Sequence, residues 1–330
     1  MKKLLFRADG TTQTGMGHIM RSLALAQMLM GEGDMPEFDC RFATCQPTSA
    51  TLKLLAKAGL PVVALQTNTP QELLKYVGKD DVVVLDGYAF DADFQRAVRE
   101  KVHKLVFIDD LIQGKQVADV VINHAGDVTP ADYTTDPHTT LLLGTAFALV
   151  NPAFRQKAQP KEGEHKAFVN MGGADNQNVS LRVAESLLAQ NPYLRVTVAL
   201  GPANPHADSF AGLPQQDRLS VVQNLSARQM ARAIGGSGLS VVAASTIAYE
   251  VASISRPMVV IQTADNQHRL VSFLRNRHLA LATLTLPLDA EALQTAVKKA
   301  RLTPTIFKQR IVFDGKAPDR YRHIFKELCG

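Results

Sequence analysis

Short runs rich in Val, Ile and Leu recur along the chain, each followed by a longer segment with apolar residues at helical spacing. They lie at residues 3–7, 38–43, 61–65, 82–86, 104–109, 119–122 and 141–143, and again at 167–170, 195–200, 219–222, 239–243 and 258–261. Several are continuously apolar rather than alternating, the pattern of parallel strands covered on both faces. This rhythm admits an α/β architecture and excludes a helical bundle or an all-β sandwich. A polar stretch over 155–165, rich in Lys, Gln and Glu, follows Leu149, Val150, Asn151 and Pro152 and divides the rhythm in two. With 330 residues, two domains are expected. The first is a Rossmann-like domain over 1–150 and the second a Rossmann-like domain over 151–330, with the last helix free to pack back on the first. Open α/β sheets bind ligands beyond the carboxyl ends of their strands. Two such domains are therefore expected to face each other across a cleft, and the residues that follow each strand are the candidates for function.

Composition narrows the partners. Lys and Arg number 36 against 31 Asp and Glu, a net charge of +5, which suits an anionic small molecule without naming one. No Lys/Arg run resembles a nucleic-acid-binding tail, so nucleic acid is not expected. A hydrophobic content of 46% with 20% charged residues excludes a disordered chain. Cys40, Cys45 and Cys329 are too few for a disulfide framework and lack metal-ligand spacing. The basic opening at Lys2 and Lys3 leads into an apolar run that Arg7 and Asp9 interrupt. No apolar stretch approaches the roughly 20 residues that span a bilayer. A cytoplasmic protein is expected, with at most peripheral membrane contact. The oligomeric state is left open, a monomer included.

Four places after strands carry candidate chemistry. From Arg7 to Arg21 a strand ends, a loop with Gly10, Gly15 and Gly17 follows, and a helix begins near His18, since Ile19, Leu23, Ala26 and Met30 share one face. A helix N-terminus offers free N–H groups and a positive dipole end. An imidazole there can exchange a proton, and Asp9 on the same loop is a candidate to orient it or to steady the developing charge. The plainer reading is a strand–helix turn with an N-terminal histidine, and the loop is neither a Walker A motif nor a clean G-x-G-x-x-G. The second place is Asp86-Gly87-Tyr88, with its later counterpart Asp109 and Asp110. Such acids orient ligand hydroxyls or cap the next helix. Asp109 and Asp110 are read as structuring their loop, and Tyr88 as a ring that stacks on or hydrogen-bonds to a sugar.

The third place, Asn170 to Asn178, opens the second half with Gly172 and Gly173, which suit close approach to a phosphate. The alternative is a turn capped by Asp175 or Asn176. The fourth runs from Ala243 and Ala244 through Ser245 and Thr246 to Tyr249 and Glu250, then on to Asp265, Asn266 and Gln267. Small residues at a helix start leave N–H groups open to a pyrophosphate. A carboxylate nearby can accept from two ribose hydroxyls. The alternatives are a buried helix whose Glu favours the dipole, and an N-cap cluster at 265–267.

Taken together these patterns resemble the UDP-sugar hydrolases of the pseudaminic acid pathway, relatives of the two-domain GT-B glycosyltransferases. The resemblance is carried by Arg7 and Asp9 before Gly15, Met16, Gly17, His18, Ile19, Met20 and Arg21, by Asp86-Gly87-Tyr88, and by Ile108 to Leu111. It continues through Leu143-Gly144, Asn151-Pro152, Phe154-Arg155, Gly172-Gly173 with Asp175, Ser245-Thr246 with Glu250, Ala264 to Gln267, and Phe313-Asp314-Gly315-Lys316 to Arg320. It implies an α/β fold of two Rossmann-like domains and a hydrolase that needs neither metal nor cofactor. It implies release of UDP from UDP-2,4-diacetamido-2,4,6-trideoxy-β-L-altropyranose, in polysaccharide biosynthesis or flagellin glycosylation. It implies that water attacks the anomeric carbon, assisted by the histidine that matches His18. Gly17, Arg21, Tyr88, Gly172, Gly173, Ala244, Ser245, Thr246, Glu250, Asn266 and Gln267 are then the substrate-binding residues. The chain departs from the family at Ala243-Ala244, where glycines are usual, and at Gly87, where His is common. A glycosyltransferase with an acceptor hydroxyl in place of water and a non-catalytic nucleotide-sugar binding protein stay open. A dinucleotide oxidoreductase lacks its G-x-G-x-x-G fingerprint.

Overall fold

The computed structural model describes residues 2–10, 16–31, 37–155, 163–201, 203–280, 282–302 and 306–330. The chain divides into two units, Met1–Pro152 with Lys316–Gly330, and Ala153–Gly315.

The first unit is built on β1 (Lys2–Ala8), β2 (Phe38–Cys45), β3 (Val62–Leu65), β4 (Val82–Asp86), β5 (Lys104–Ile108), β6 (Lys115–Gln116), β7 (Val120–Asn123), β8 (Thr134–Thr135) and β9 (Thr140–Leu143). Seven of these form one sheet in the order β3-β2-β1-β4-β5-β7-β9, and β6 pairs with β8 apart from it. All of these pairings are parallel. The pleat sends alternate residues to opposite faces. Leu4, Phe6 and Ala8 join Phe42 and Val84 in one core, while Leu5, Val83 and Leu85 join Phe94 and Val98 in another. The helices are α1 (Gly17–Met30), α2 (Ser49–Lys57), α3 (Pro70–Leu73) and α4 (Ala92–Arg99). Thr48 and Asp91 cap α2 and α4 by accepting from the N–H groups of Thr51 and Phe94, each satisfying a donor the helix leaves open. Helix α1 ends at Gly31, whose φ of 71° favours a residue without a side chain.

The second unit repeats the plan with β10 (Lys166–Asn170), β11 (Arg195–Leu200), β12 (Leu219–Gln223), β13 (Leu239–Ala243), β14 (Met258–Gln262) and β15 (Ala282–Thr285). These pair in the order β12-β11-β10-β13-β14-β15. Its helices are α5 (Val179–Gln190), α6 (Ala227–Gly235), α7 (Thr246–Ile254), α8 (His268–Asn276), α9 (Ala290–Leu302) and α10 (Ile306–Val312). The chain then rejoins the first unit as α11 (Ala317–Leu328). Tyr321 and Phe325 of α11 are buried in the core that holds α1, and the Tyr321 hydroxyl donates to the Phe147 carbonyl at 2.7 Å.

Every strand expected from sequence forms within a residue or two of its expected ends. Three strands go beyond that expectation. β15 is short and half Thr, while β6 and β8 are two residues each and carry no periodicity.

Candidate active site

The register of the first sheet sets Ala8, the last residue of β1, beside Asp86, the last of β4. Helix α1 starts nearby. His18, Arg21 and Ser22 stand at i, i+3 and i+4, so they share one face, and all three reach the fully buried Asp86 carboxylate. His18 Nδ1 lies 2.7 Å from Oδ1. Arg21 donates through Nε to both oxygens at 2.9 Å and through Nη2 to Oδ1 at 2.5 Å. Ser22 Oγ donates to Oδ2 at 2.9 Å. Burial raises the Asp86 carboxyl, but the Arg21 charge and the hydrogen bonds from His18 and Arg21 outweigh it and hold the group below the usual carboxylate range.

This carboxylate selects a tautomer of His18. Arg21 Nη2 also lies 3.0 Å from Nδ1, but a guanidinium has only donors, and so has a protonated Nδ1. The shorter contact, to the anion, assigns the proton to Nδ1 and leaves Nε2 with its lone pair. Arg21 donates through Nη1 to Asp110 at 2.5 Å as well. Burial opposes its charge, but Asp86 and Asp110 overcome that and raise its pKa. The Tyr88 hydroxyl stands 3.5 Å from the same Asp110 oxygen, and its ring meets the His18 ring edge-on, with centroids 4.6 Å apart. Tyr88 is 59% exposed while His18 is 6% exposed. His124, whose Nδ1 accepts from the Leu149 N–H at 3.0 Å, is pushed down to about 4 by burial and by the Arg21 charge.

Asp9 corrects the sequence reading. It does not meet His18; Asp86 takes that place. Arg7 donates to Asp9 through Nη1 at 2.5 Å and Nη2 at 2.8 Å. The same carboxylate accepts from the Thr44 hydroxyl and the Cys45 N–H. The Arg7 guanidinium is fully buried over the Phe90 ring, so the Asp9 carboxylate is drawn to it. Of the acids read as structuring their loop, Asp109 does so, accepting from the N–H groups of Leu111 and Ile112 and from the Tyr133 hydroxyl. Asp110 instead joins Arg21. Gly17 opens α1 with open space where a side chain would stand. Gly15 lies outside the described residues.

In the second unit the Asn170 side chain clamps the turn after β10, accepting from the Gly172 N–H and donating to the Ala199 carbonyl. Gly172 has φ +86°, and nothing stands within 4 Å of where a Cβ would sit at Gly172 or Gly173. The turn thus presents bare backbone. Asp175 caps α5 by accepting from the N–H groups of Val179 and Ser180.

Helix α7 has an open start. Its N-cap, Ser245, makes no side-chain cap. The Ala244 and Ser245 N–H groups are used, on the Ile261 and Ala243 carbonyls. Of the expected start at Ala244–Thr246, Thr246 therefore keeps an N–H without a partner among the described residues, followed by Ile247. One turn on from Thr246, the half-buried Glu250 carboxylate has no hydrogen-bond or ion-pair partner among the described residues, and burial pushes it up to about 8. Asn266 is exposed. The Gln267 side-chain carbonyl accepts from the N–H groups of Thr263 and Ala264, so that half of its amide caps its own loop. Among the described residues no group of three His, Cys, Asp or Glu is placed to hold a metal, and no helix is long and apolar enough to cross a membrane.

No protein-family model matches the chain. Among solved structures, the calicheamicin glycosyltransferase CalG4 superposes with a TM-score of 0.65 at 14% identity over 99% of this chain and 98% of that one. Acinetobacter baumannii MurG does so at 0.62 and 16%, over 99% of each. The fold is GT-B glycosyltransferase-like. A third GT-B neighbour, Anabaena HepE solved with UDP-glucose, superposes at 0.60 with 12% identity over 99% of each chain. Sequence relatives are distant. The Campylobacter jejuni UDP-2,4-diacetamido-2,4,6-trideoxy-β-L-altropyranose hydrolase is 25% identical over 285 residues, 83% of this chain and 97% of that protein. The Bacillus subtilis spore coat polysaccharide biosynthesis protein SpsG is 22% identical over 79% of this chain and 77% of its own. An uncharacterised Methanocaldococcus jannaschii protein is 24% identical over 78% of this chain, which spans only 55% of its length. The GT-B chain described here is thus similar to a UDP-sugar hydrolase.

Proposed function

We propose that the chain is a nucleotide-sugar enzyme that hydrolyses UDP from a UDP-linked 2,4-diacetamido-2,4,6-trideoxy sugar by attack of water on the anomeric carbon. The observation that carries this reading is the 2.7 Å contact between His18 Nδ1 and the buried Asp86 carboxylate, which leaves Nε2 as a base. Water gives its proton to Nε2 as its oxygen bonds to the anomeric carbon. The bond from that carbon to the UDP oxygen breaks, and its electron pair leaves on the diphosphate. Asp86 steadies the imidazolium that forms. The exposed Tyr88 ring beside His18 contacts the sugar.

Unit 2 holds the nucleotide. The free N–H groups of Thr246 and Ile247, with the dipole of α7, meet the diphosphate. Glu250 takes the ribose hydroxyls, and the bare turn at Gly172 and Gly173 lies against a phosphate. Asn266 and the free half of the Gln267 amide supply further polar contacts. The similarity to the Campylobacter jejuni hydrolase and the UDP-glucose complex of a GT-B neighbour support the substrate class.

The fold neighbours also favour a second reading, a glycosyltransferase in which an acceptor hydroxyl replaces water. Incubation of the purified protein with the UDP-sugar and no acceptor separates the two. Stoichiometric release of UDP and free sugar over many turnovers is expected. Turnover that starts only when an acceptor is added contradicts hydrolysis, and binding without turnover in either case leaves a nucleotide-sugar binding protein.

A further inference from the structure

Among the described residues, helix α10 is anchored through Gln309. Gln309 is fully buried, and its amide donates to the carbonyls of Arg256 and Leu279, both at 2.9 Å. Just after the helix, Phe313 packs on Tyr249 with centroids 5.0 Å apart. At about 100° per residue, Phe307 and Ile311 project together on the side opposite Gln309, with Lys308 and Arg310 flanking them left and right. Phe307 is 71% exposed and Ile311 63%, and both flanking cations are exposed. Isolated exposed apolar residues are ordinary. An aromatic and an aliphatic residue one turn apart, bracketed by two cations and opposite an anchored polar residue, form the amphipathic arrangement of an interfacial helix.

The surrounding sequence carries the same charge. Residues 292–313 contain Lys298, Lys299, Arg301, Lys308 and Arg310 and no Asp or Glu. Five cations without an anion over 22 residues are a strong local bias in a chain with a net charge of only +5. We infer that the outer face of α10 docks this chain on an anionic phospholipid surface. Phe307 and Ile311 enter the headgroup boundary, and Lys308 meets the lipid phosphates. The choice of a lipid surface over a protein groove rests on charge complementarity, since the apolar pair has a cation on either side. A seven-residue helix buries little apolar area, so the binding is reversible and depends on anionic lipid. This inference stands on unit 2 alone and is independent of the reaction proposed above.

The test is co-flotation of the full chain with vesicles of phosphatidylcholine, with and without phosphatidylglycerol. The wild-type chain is expected to partition roughly tenfold more onto the vesicles containing phosphatidylglycerol at low salt and to be released as salt screens the charges. Phe307→Ser/Ile311→Ser, with an unchanged circular dichroism spectrum because both side chains are exposed, is expected to lower that partition by about tenfold. Lys308→Glu is expected to weaken it and flatten its salt dependence. A wild-type chain that ignores phosphatidylglycerol overturns the inference, as does a double Ser variant that binds like wild type. A concentration-dependent dimer in sedimentation that Phe307→Ser dissolves, without vesicle binding, assigns the face to a second copy and also overturns it.

Discussion

Asp86 is the residue on which the first-unit site turns, and its role was half legible in the sequence. An acid at the end of an apolar run, followed by Gly87 and Tyr88, marks a strand end open to ligands. Its partnership with His18, 68 positions away, depends on β1 and β4 being neighbours, which no local pattern encodes. Shared loop position points to Asp9 as the histidine's partner. Yet Arg7 and Asp9 stand two apart at the end of a strand and point to the same face, so their pairing was open to a stricter reading. Asp86→Asn removes the anion that compensates the buried Arg21 and frees His18 to take the other tautomer. It is expected to lower kcat on the UDP-sugar by roughly 10²–10⁴-fold and the unfolding free energy by about 3 kcal/mol, read by urea titration. Because the folded carboxyl is depressed, its stabilisation is present above the ordinary carboxylate range and disappears as pH falls through the folded value. The stability difference between wild type and Asp86→Asn therefore shrinks in acid.

At the scale of elements, α7 and the turn after β10 carry the nucleotide proposal. The small residues before α7 pointed to an open helix start, and the structure shows the free donors at Thr246 and Ile247. The loss of Ala244 from that start was not legible, because it depends on Ala244 pairing with Ile261 of β14. The Gln267 carbonyl folds back on Thr263 and Ala264, the N-cap alternative that the sequence offers beside a ligand contact. Glu250 stands one turn into α7 without a partner among the described residues, and burial raises it from 4.5 to about 8. With the folded value raised, its contribution to stability is complete below pH 4.5 and is lost as pH rises through 8. Glu250→Gln is thus expected to gain in Tm over wild type as pH rises from 4.5 towards 8, and to hold that gain above 8. Ribose hydroxyls donate to the ionised carboxylate, so UDP binding at pH 7 is expected to release a proton. Calorimetry in buffers of different ionisation enthalpy should show that release for wild type and its loss in Glu250→Gln. Glu250→Ala should weaken UDP binding by about tenfold or more, and unchanged affinity and proton count would remove Glu250 from the nucleotide site.

For the molecule as a whole, the alternation of apolar runs was enough to foretell two parallel α/β sheets, because strands buried on both faces must be continuously apolar. The last helix, α11, which the sequence left free to pack back, belongs to the first unit and is held there by long-range contacts. Tyr321 is buried against Phe147 there, so Tyr321→Ala is expected to destabilise that unit by about 3–5 kcal/mol, measured by urea unfolding, and to leave UDP affinity unchanged. His18→Ala separates the base proposed in unit 1 from the nucleotide-binding groups proposed in unit 2. The measurement is steady-state hydrolysis of the UDP-sugar without acceptor, alongside calorimetric UDP affinity and the thermal transition of the same preparation. A rate lower by about 10²–10⁴-fold with UDP affinity and Tm unchanged is the predicted result. A folded His18→Ala protein that hydrolyses the UDP-sugar at the wild-type rate would contradict the mechanism.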